Sequence, residues 1–163
     1  MSDHDPEPVP PPQPAAAPLE PTIYRPMLFE TDASGRRVPQ VGHEKNMLGV
    51  TLPPADRADV HPDPAGMVVP GNEGLSVAPD LKSLPLGLVP ERLRSKRQGA
   101  RGPDELRLFR LGEGLFQRSD IAQELELQPT SRKHGVVRPR AAMHVDQYQA
   151  RLADTKPRWN DEG

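Results

Sequence analysis

Residues 66–88 read GMVVPGNEGLSVAPDLKSLPLGL, and this stretch decides the fold. A short apolar run (Met67, Val68, Val69) leads into a turn bounded by Pro70 and Gly74. Leu75, Ser76 and Val77 follow, and Pro79 and Pro85 punctuate the exit. Successive side chains of a strand point to opposite faces. Leu75 and Val77 therefore share an apolar face, and Ser76 stands alone on the other. A chain that changes direction this often builds its core from short strands, not long helices. The expectation is a core strand whose Ser76 faces a cleft, with Arg25 of an earlier strand facing the same cleft.

The rest of the composition agrees with short elements. The 163 residues include 22 prolines and 13 glycines, enough to interrupt most long helices. Apolar residues make up 34% and aromatics 4%, so the core is small and mainly aliphatic. The length suits one domain. No cysteine occurs, which excludes a disulfide framework, a thiolate metal site and a cysteine nucleophile. The net charge of −2 hides four acids and no Lys or Arg in residues 1–20. The remainder carries too little positive charge to argue nucleic-acid binding from bulk charge.

Residues 1–21 hold eight prolines and are expected to be a disordered, extended tail. The start has neither a basic region nor an apolar run of the secretory type. No run approaches the roughly 20 apolar residues of a membrane span. The expectation is a protein made in the cytoplasm, with no membrane contact.

A single domain is expected over 22–159, with a short tail over 160–163. Residues 22–30 (TIYRPMLFE) read as a first strand, placed at a sheet edge or on a bulge because Pro26 cannot donate to a ladder. Residues 31–37 are a turn, and MLGVTL (47–52) is a second strand candidate. Residues 67–69 and 75–77 are the third and fourth strands. Residues 91–110 carry seven basic and three acidic residues, net +4. They read as a solvated loop or as a patch for an anionic cofactor, a nucleic acid or an acidic partner. Residues 105–111 alternate, with Leu106 and Leu108 on one side and Arg107 and Phe109 on the other. Residues 121–127 fit a helix and a strand equally badly. Residues 133–138 read as a strand. Residues 145–154 read as a helix, with Val145, Tyr148 and Leu152 on one stripe and Asp146 near the favourable end of the dipole. Trp159 is expected to pack back. The fold class is α+β, with short strands in a split or sandwiched sheet, few helices and long loops.

Phosphate-loop, dinucleotide, zincin and EF-hand patterns are absent. His43 and His61 sit among acids at irregular spacing, so no metal site is expected. Ser76 and His134 do not make a nucleophile–base pair of the hydrolase kind, because no nucleophile elbow surrounds Ser76. What remains is a dispersed pattern: Tyr24-Arg25, then Gly74-Leu75-Ser76-Val77, then Leu84-Pro85, then KHGVVRPRAAM over 133–143. In this order the pattern resembles the ADP-ribosyltransferase-like toxin effectors that bacteria deliver by type VI secretion. The resemblance covers roughly residues 22–152.

The resemblance implies a split β-sandwich with NAD in the cleft between two sheets. Transfer of ADP-ribose breaks the nicotinamide–ribose bond through an oxocarbenium-like ribose, as in glycoside cleavage. On this reading Arg25 and Tyr24 bind NAD, Ser76 supports the ribose and His134 lines the pocket. An immunity protein in the producing cell and a macromolecular target in the cytoplasm of a rival cell are the implied partners. One departure matters: the glutamate that related transferases place against the ribose has no matching position here. Glu73, Glu113, Glu124 and Glu126 are the candidates. Two rival readings remain: a non-enzymatic interaction protein acting through its proline-rich tail and basic loop, and a nucleotide- or RNA-directed enzyme.

Overall fold

The computed structural model describes residues 19–95 and 103–163. Most of the proline-rich tail (1–18) and the middle of the basic run (96–102) lie outside the described residues. Ten strands and one α-helix are found among those described. They are β1 (Ile23–Thr31), β2 (Arg37–Pro39), β3 (Met67–Val68), β4 (Leu75–Val77), β5 (Leu106–Leu111) and β6 (Ser119–Ile121). β7 (Leu125–Pro129), β8 (Gly135–Pro139), β9 (Met143–His144), α1 (Val145–Asp154) and β10 (Asn160–Asp161) follow. The chain is thus mixed α and β, with mostly antiparallel strands in curled sheets.

One four-stranded sheet has the order β10-β5-β1-β2, a second has β4-β8-β7-β6, and β3 pairs with β9. The two larger sheets meet at a seam. Tyr24 N–H donates to Ala78 O (2.8 Å), and Ala78 N–H donates back to Tyr24 O (2.9 Å). Strand β1 is therefore flanked on both sides, where the sequence suggested an edge or a bulge. The reason lies in Pro26. Tyr24 is tied to Ala78, and Leu28 N–H donates to Asn46 O on the same side. Pro26 falls between them, where no partner strand needs the N–H that proline lacks.

The core follows the alternation of the strands. Ile23 and Met27 of β1, Leu75 and Val77 of β4, Phe109 and Leu111 of β5, Leu125 and Leu127 of β7 and Val137 of β8 belong to one buried cluster. Helix α1 closes it with Val145, Tyr148 and Leu152, and Trp159 packs back as expected. His144 caps the helix, its Nδ1 accepting from Asp146 N–H at 3.1 Å.

Three segments depart from the sequence reading. Residues 47–52 form no strand. Gly49 passes so close to Gly42 O and the Gln149 side chain that an added Cβ would collide with both. Gln149 instead takes the place of a neighbouring strand: its Oε1 accepts from Val50 N–H (3.2 Å) and its Nε2 donates to Leu48 O (3.3 Å). The ambiguous residues 121–127 are the turn and second arm of the β6–β7 hairpin. Ala122 and Glu124 turn the chain at φ 51° and 64°. Neither is a usual turn residue, which hid the hairpin from sequence reading. The final residues also join the fold. Asn160 and Asp161 pair with β5, and Leu108 N–H donates to Gly163 O at 2.8 Å.

Candidate functional site

The residues singled out from sequence lie far apart in the chain, and four of them gather at the seam. Arg25 alternates with Ile23 and Met27, so it points to the interior side of β1, where it is 9% exposed. Its Nη1 donates to Ser76 O (2.9 Å), and its Nε and Nη2 donate to Met47 O (3.3 and 2.9 Å). Among the described residues, no carboxylate comes within ion-pair distance of it. Burial lowers its pKa, and the nearby Asp59 charge acts in the opposite sense. The guanidinium thus laces β1, β4 and the 47–50 segment together through main-chain carbonyls. It meets Ser76 through the backbone, not through the hydroxyl.

The Ser76 side chain leaves the opposite face, since Leu75 and Val77 enter the core. Tyr24 stands on the matching face of β1 and bonds to Ala78, one residue beyond β4. His134 is one residue beyond the Val77–Gly135 pair, just past the end of β8 nearest the seam. It lies in the exposed β7–β8 turn, where its Nδ1 is 2.7 Å from Thr130 Oγ1. Such burial as the ring has pushes its pKa below the ordinary value.

The same register reveals a group that sequence reading could not place. Ser76 pairs with Val136, which pairs with Gln128, and one row further on Arg138 pairs with Glu126. Ser76, Val136, Gln128, Arg138 and Glu126 therefore share the face of the second sheet turned from the core cluster, with Val136 only 2% exposed. Arg138 Nε donates to Glu126 Oε1 (2.9 Å), Nη2 lies 2.8 Å from the same oxygen, and Nη1 donates to Gly71 O (2.8 Å). Arg118 approaches the other carboxylate oxygen at 3.7 Å. Glu126 is only 8% exposed, so its carboxylate is buried against Arg138, with Arg118 nearby. With neighbouring strands about 4.8 Å apart, Ser76 and Glu126 stand on the order of 10 Å from each other across β8. The alternation of Glu126 and Gln128 with Leu125 and Leu127 would have signalled this face, had the turn before it been legible.

Glu124, in the turn of the same hairpin, borders a different feature. An open cleft of about 390 Å³ is lined by Glu124, Arg140, Ala141, Ala142, Met143 and Gln147. Gln147 Nε2 donates to Glu124 Oε2 (3.0 Å), and Arg151 Nε lies 3.2 Å from that oxygen. The cleft sits at the Pro139 end of β8, and the seam sits at its Gly135 end. Glu73 is taken up by His61, and Glu113 lies 3.8 Å from Arg110. No group of three or more metal-ligating side chains occurs among the described residues. Nor, among them, is any helix long and apolar enough to cross a membrane.

No protein-family model matches this chain, and no curated protein matches its sequence.

Proposed function

We propose that the chain is an NAD-using ADP-ribosyltransferase that acts as an antibacterial toxin, with its site on the outer face of the second sheet beside the seam. The observation that carries this reading is the shared face of Ser76 and Glu126, bordered by Tyr24 and His134. These residues come from four separate parts of the sequence. On this reading NAD is the substrate, and Ser76 Oγ donates to the ribose next to nicotinamide. Glu126 supplies the carboxylate for which the sequence offered no matching position. As the nicotinamide–ribose bond breaks, its electron pair returns to the nicotinamide ring and the ribose becomes cationic. A fixed carboxylate in a buried site opposes that charge at little reorganisation cost. The target nucleophile then bonds to the ribose carbon and loses its proton. Tyr24 and His134 line the nicotinamide end. Arg25 is a positioning residue that keeps Ser76 in register with β1.

The experiment is nicotinamide release from NAD by the purified chain, with and without bacterial lysate. The expected result is release that Ser76→Ala lowers about tenfold or more and Glu126→Gln lowers by about a hundredfold or more. Because Glu126→Gln unbalances Arg138, each variant is checked for folding by circular dichroism. Glu124→Gln separates the sheet face from the cleft, and on this reading it retains release. Absence of NAD turnover under every condition, or full turnover in a folded Ser76→Ala and Glu126→Gln pair, overturns the assignment.

A further inference from the structure

The basic run that reads as a solvated loop or an anion-binding patch contributes to a second feature, at the opposite end of β1 from the seam. Arg107 of β5 and Arg37 of β2 both lie over the Phe29 ring, each with its guanidinium carbon 5.8 Å from the centroid. Arg92 of the single 3-10 turn Glu91–Leu93 reaches β5, its Nη2 donating to Leu106 O at 2.6 Å. Burial lowers the Arg92 pKa first, and the positive charges of Arg107 and Arg37 lower it further. Arg37 and Arg107 thus share one aromatic ring, and Arg92 is held at Leu106, the residue before Arg107.

Asp161 is the carboxylate among them. Arg107 Nε meets it at 2.7 Å and Arg37 Nη1 at 3.8 Å. It forms no ion pair with Arg92, although its charge and the weaker one of Asp104 are felt there. The cluster keeps a net positive charge. Arg107 is held by Asp161 and is 15% exposed, whereas Arg37 is 49% exposed and its guanidinium is open to solvent. All three cations are arginine, whose planar fork suits paired hydrogen bonds to oxyanions.

We propose that Arg37, Arg92 and Arg107 form a binding site for a phosphoryl group. The chemistry favours phosphate over a further carboxylate. A phosphoryl group presents three acceptor oxygens and can engage three forks at once, and Asp161 already supplies the carboxylate that the cluster accommodates. Inorganic or nucleotide pyrophosphate and the phosphodiester backbone of a nucleic acid are the two sources of this group. The site is several residues along β1 from Tyr24, so it is independent of the NAD reading and stands or falls without it.

The test uses the full chain and two probes. Inorganic pyrophosphate is titrated by calorimetry, and a fluorescent single-stranded oligonucleotide by anisotropy at low and physiological salt. The key variant is Arg37→Gln with Arg92→Gln, which spares the packed Arg107. The charge-matched control is Arg57→Gln with Arg132→Gln, both exposed and on segments that contribute nothing to the cluster. The expected result is binding of at least one probe that weakens about tenfold or more in the cluster variant and less than about twofold in the control. Arg37→Lys with Arg92→Lys keeps the charge but loses the forks, and it is expected to fall between wild type and the Gln pair. Pyrophosphate binding lost in the cluster variant assigns the site to a free or nucleotide phosphate. Oligonucleotide binding alone, lost in the same variant, assigns it to a backbone. No binding of either probe up to about 10 mM pyrophosphate overturns the proposal. Equal weakening in the cluster and control variants overturns it too, because bulk charge is then sufficient.

Discussion

Removing one buried oxygen, by Tyr148→Phe, tests how the Ser76 strand is held. Tyr148 is fully buried, and its hydroxyl stands in the ladder between β4 and β8. It accepts from Leu75 N–H at 3.1 Å and donates to Val137 O. Gly74 makes room for this arrangement, since a Cβ there would press on both Val137 O and the hydroxyl. Phenylalanine keeps the ring but strands a buried N–H donor and a buried carbonyl. A lost hydrogen bond costs about 1 kcal/mol net, and a buried group left without a partner costs about 1–3 kcal/mol. The expected loss is about 3 kcal/mol, which in a domain of this size lowers Tm by about 10 °C. Denaturant unfolding followed by tryptophan fluorescence reads it directly, because Trp159 lies in the same core. The alkaline limb gives a second readout. Burial is the largest cause of a phenol pKa raised well above its ordinary value of 10.0. The folded chain therefore holds this proton where the unfolded chain releases it. The stabilisation is fully present below about pH 10 and falls as pH rises above it. The phenylalanine variant should lack that part of the slope. A variant within about 0.5 kcal/mol of wild type, with the same alkaline slope, would refute the bridging role.

Other perturbations probe separate parts of the structure. Gly49→Ala should destabilise by about 3 kcal/mol or more in a denaturant titration, because the added methyl meets the Gly42 carbonyl and the Gln149 amide. His144→Ala removes the cap of α1 and should cost about 1 kcal/mol, whereas His144→Ser should restore most of it, by thermal unfolding. Arg25→Met should cost several kcal/mol, since Ser76 O and Met47 O lose their donor. If Arg25→Met instead leaves stability intact and abolishes NAD turnover, the positioning role is wrong and direct contact with NAD is right. Deleting residues 2–18 should leave NAD turnover unchanged in vitro. Loss of growth inhibition with turnover retained would give that segment the partner-binding role.

Local patterns made much of the fold legible. The three residues of β4 follow from a glycine-bounded turn and a single apolar–polar–apolar step. The helix over 145–154 follows from one apolar stripe and Pro157 beyond it. Strand β5 follows from its alternation. Each of these is decided by side chains within a few positions of one another, the range over which periodicity carries information. The hairpin at 119–129 stayed hidden because Ala122 and Glu124 adopt left-handed backbone without glycine or asparagine to announce it. Strands β9 and β10 are two residues each, too short for any period.

The site divides along the same line. Residue types alone drew attention to Tyr24, Arg25, Ser76 and His134, and their convergence at one seam needed the pairing of β1 with Ala78 and of β4 with β8. Sequence could not tell which face Arg25 uses or what it bonds, and the fold directs it to two carbonyls on other segments. Nor could it choose among four glutamates. Strand register shows which of them shares a face with Ser76: Glu126, with Arg138 between them. Local sequence sufficed for most of the short elements, the small aliphatic core and the residue types able to do chemistry. The tertiary structure decided which of them meet, because register and long-range hydrogen bonds join residues that no local period relates.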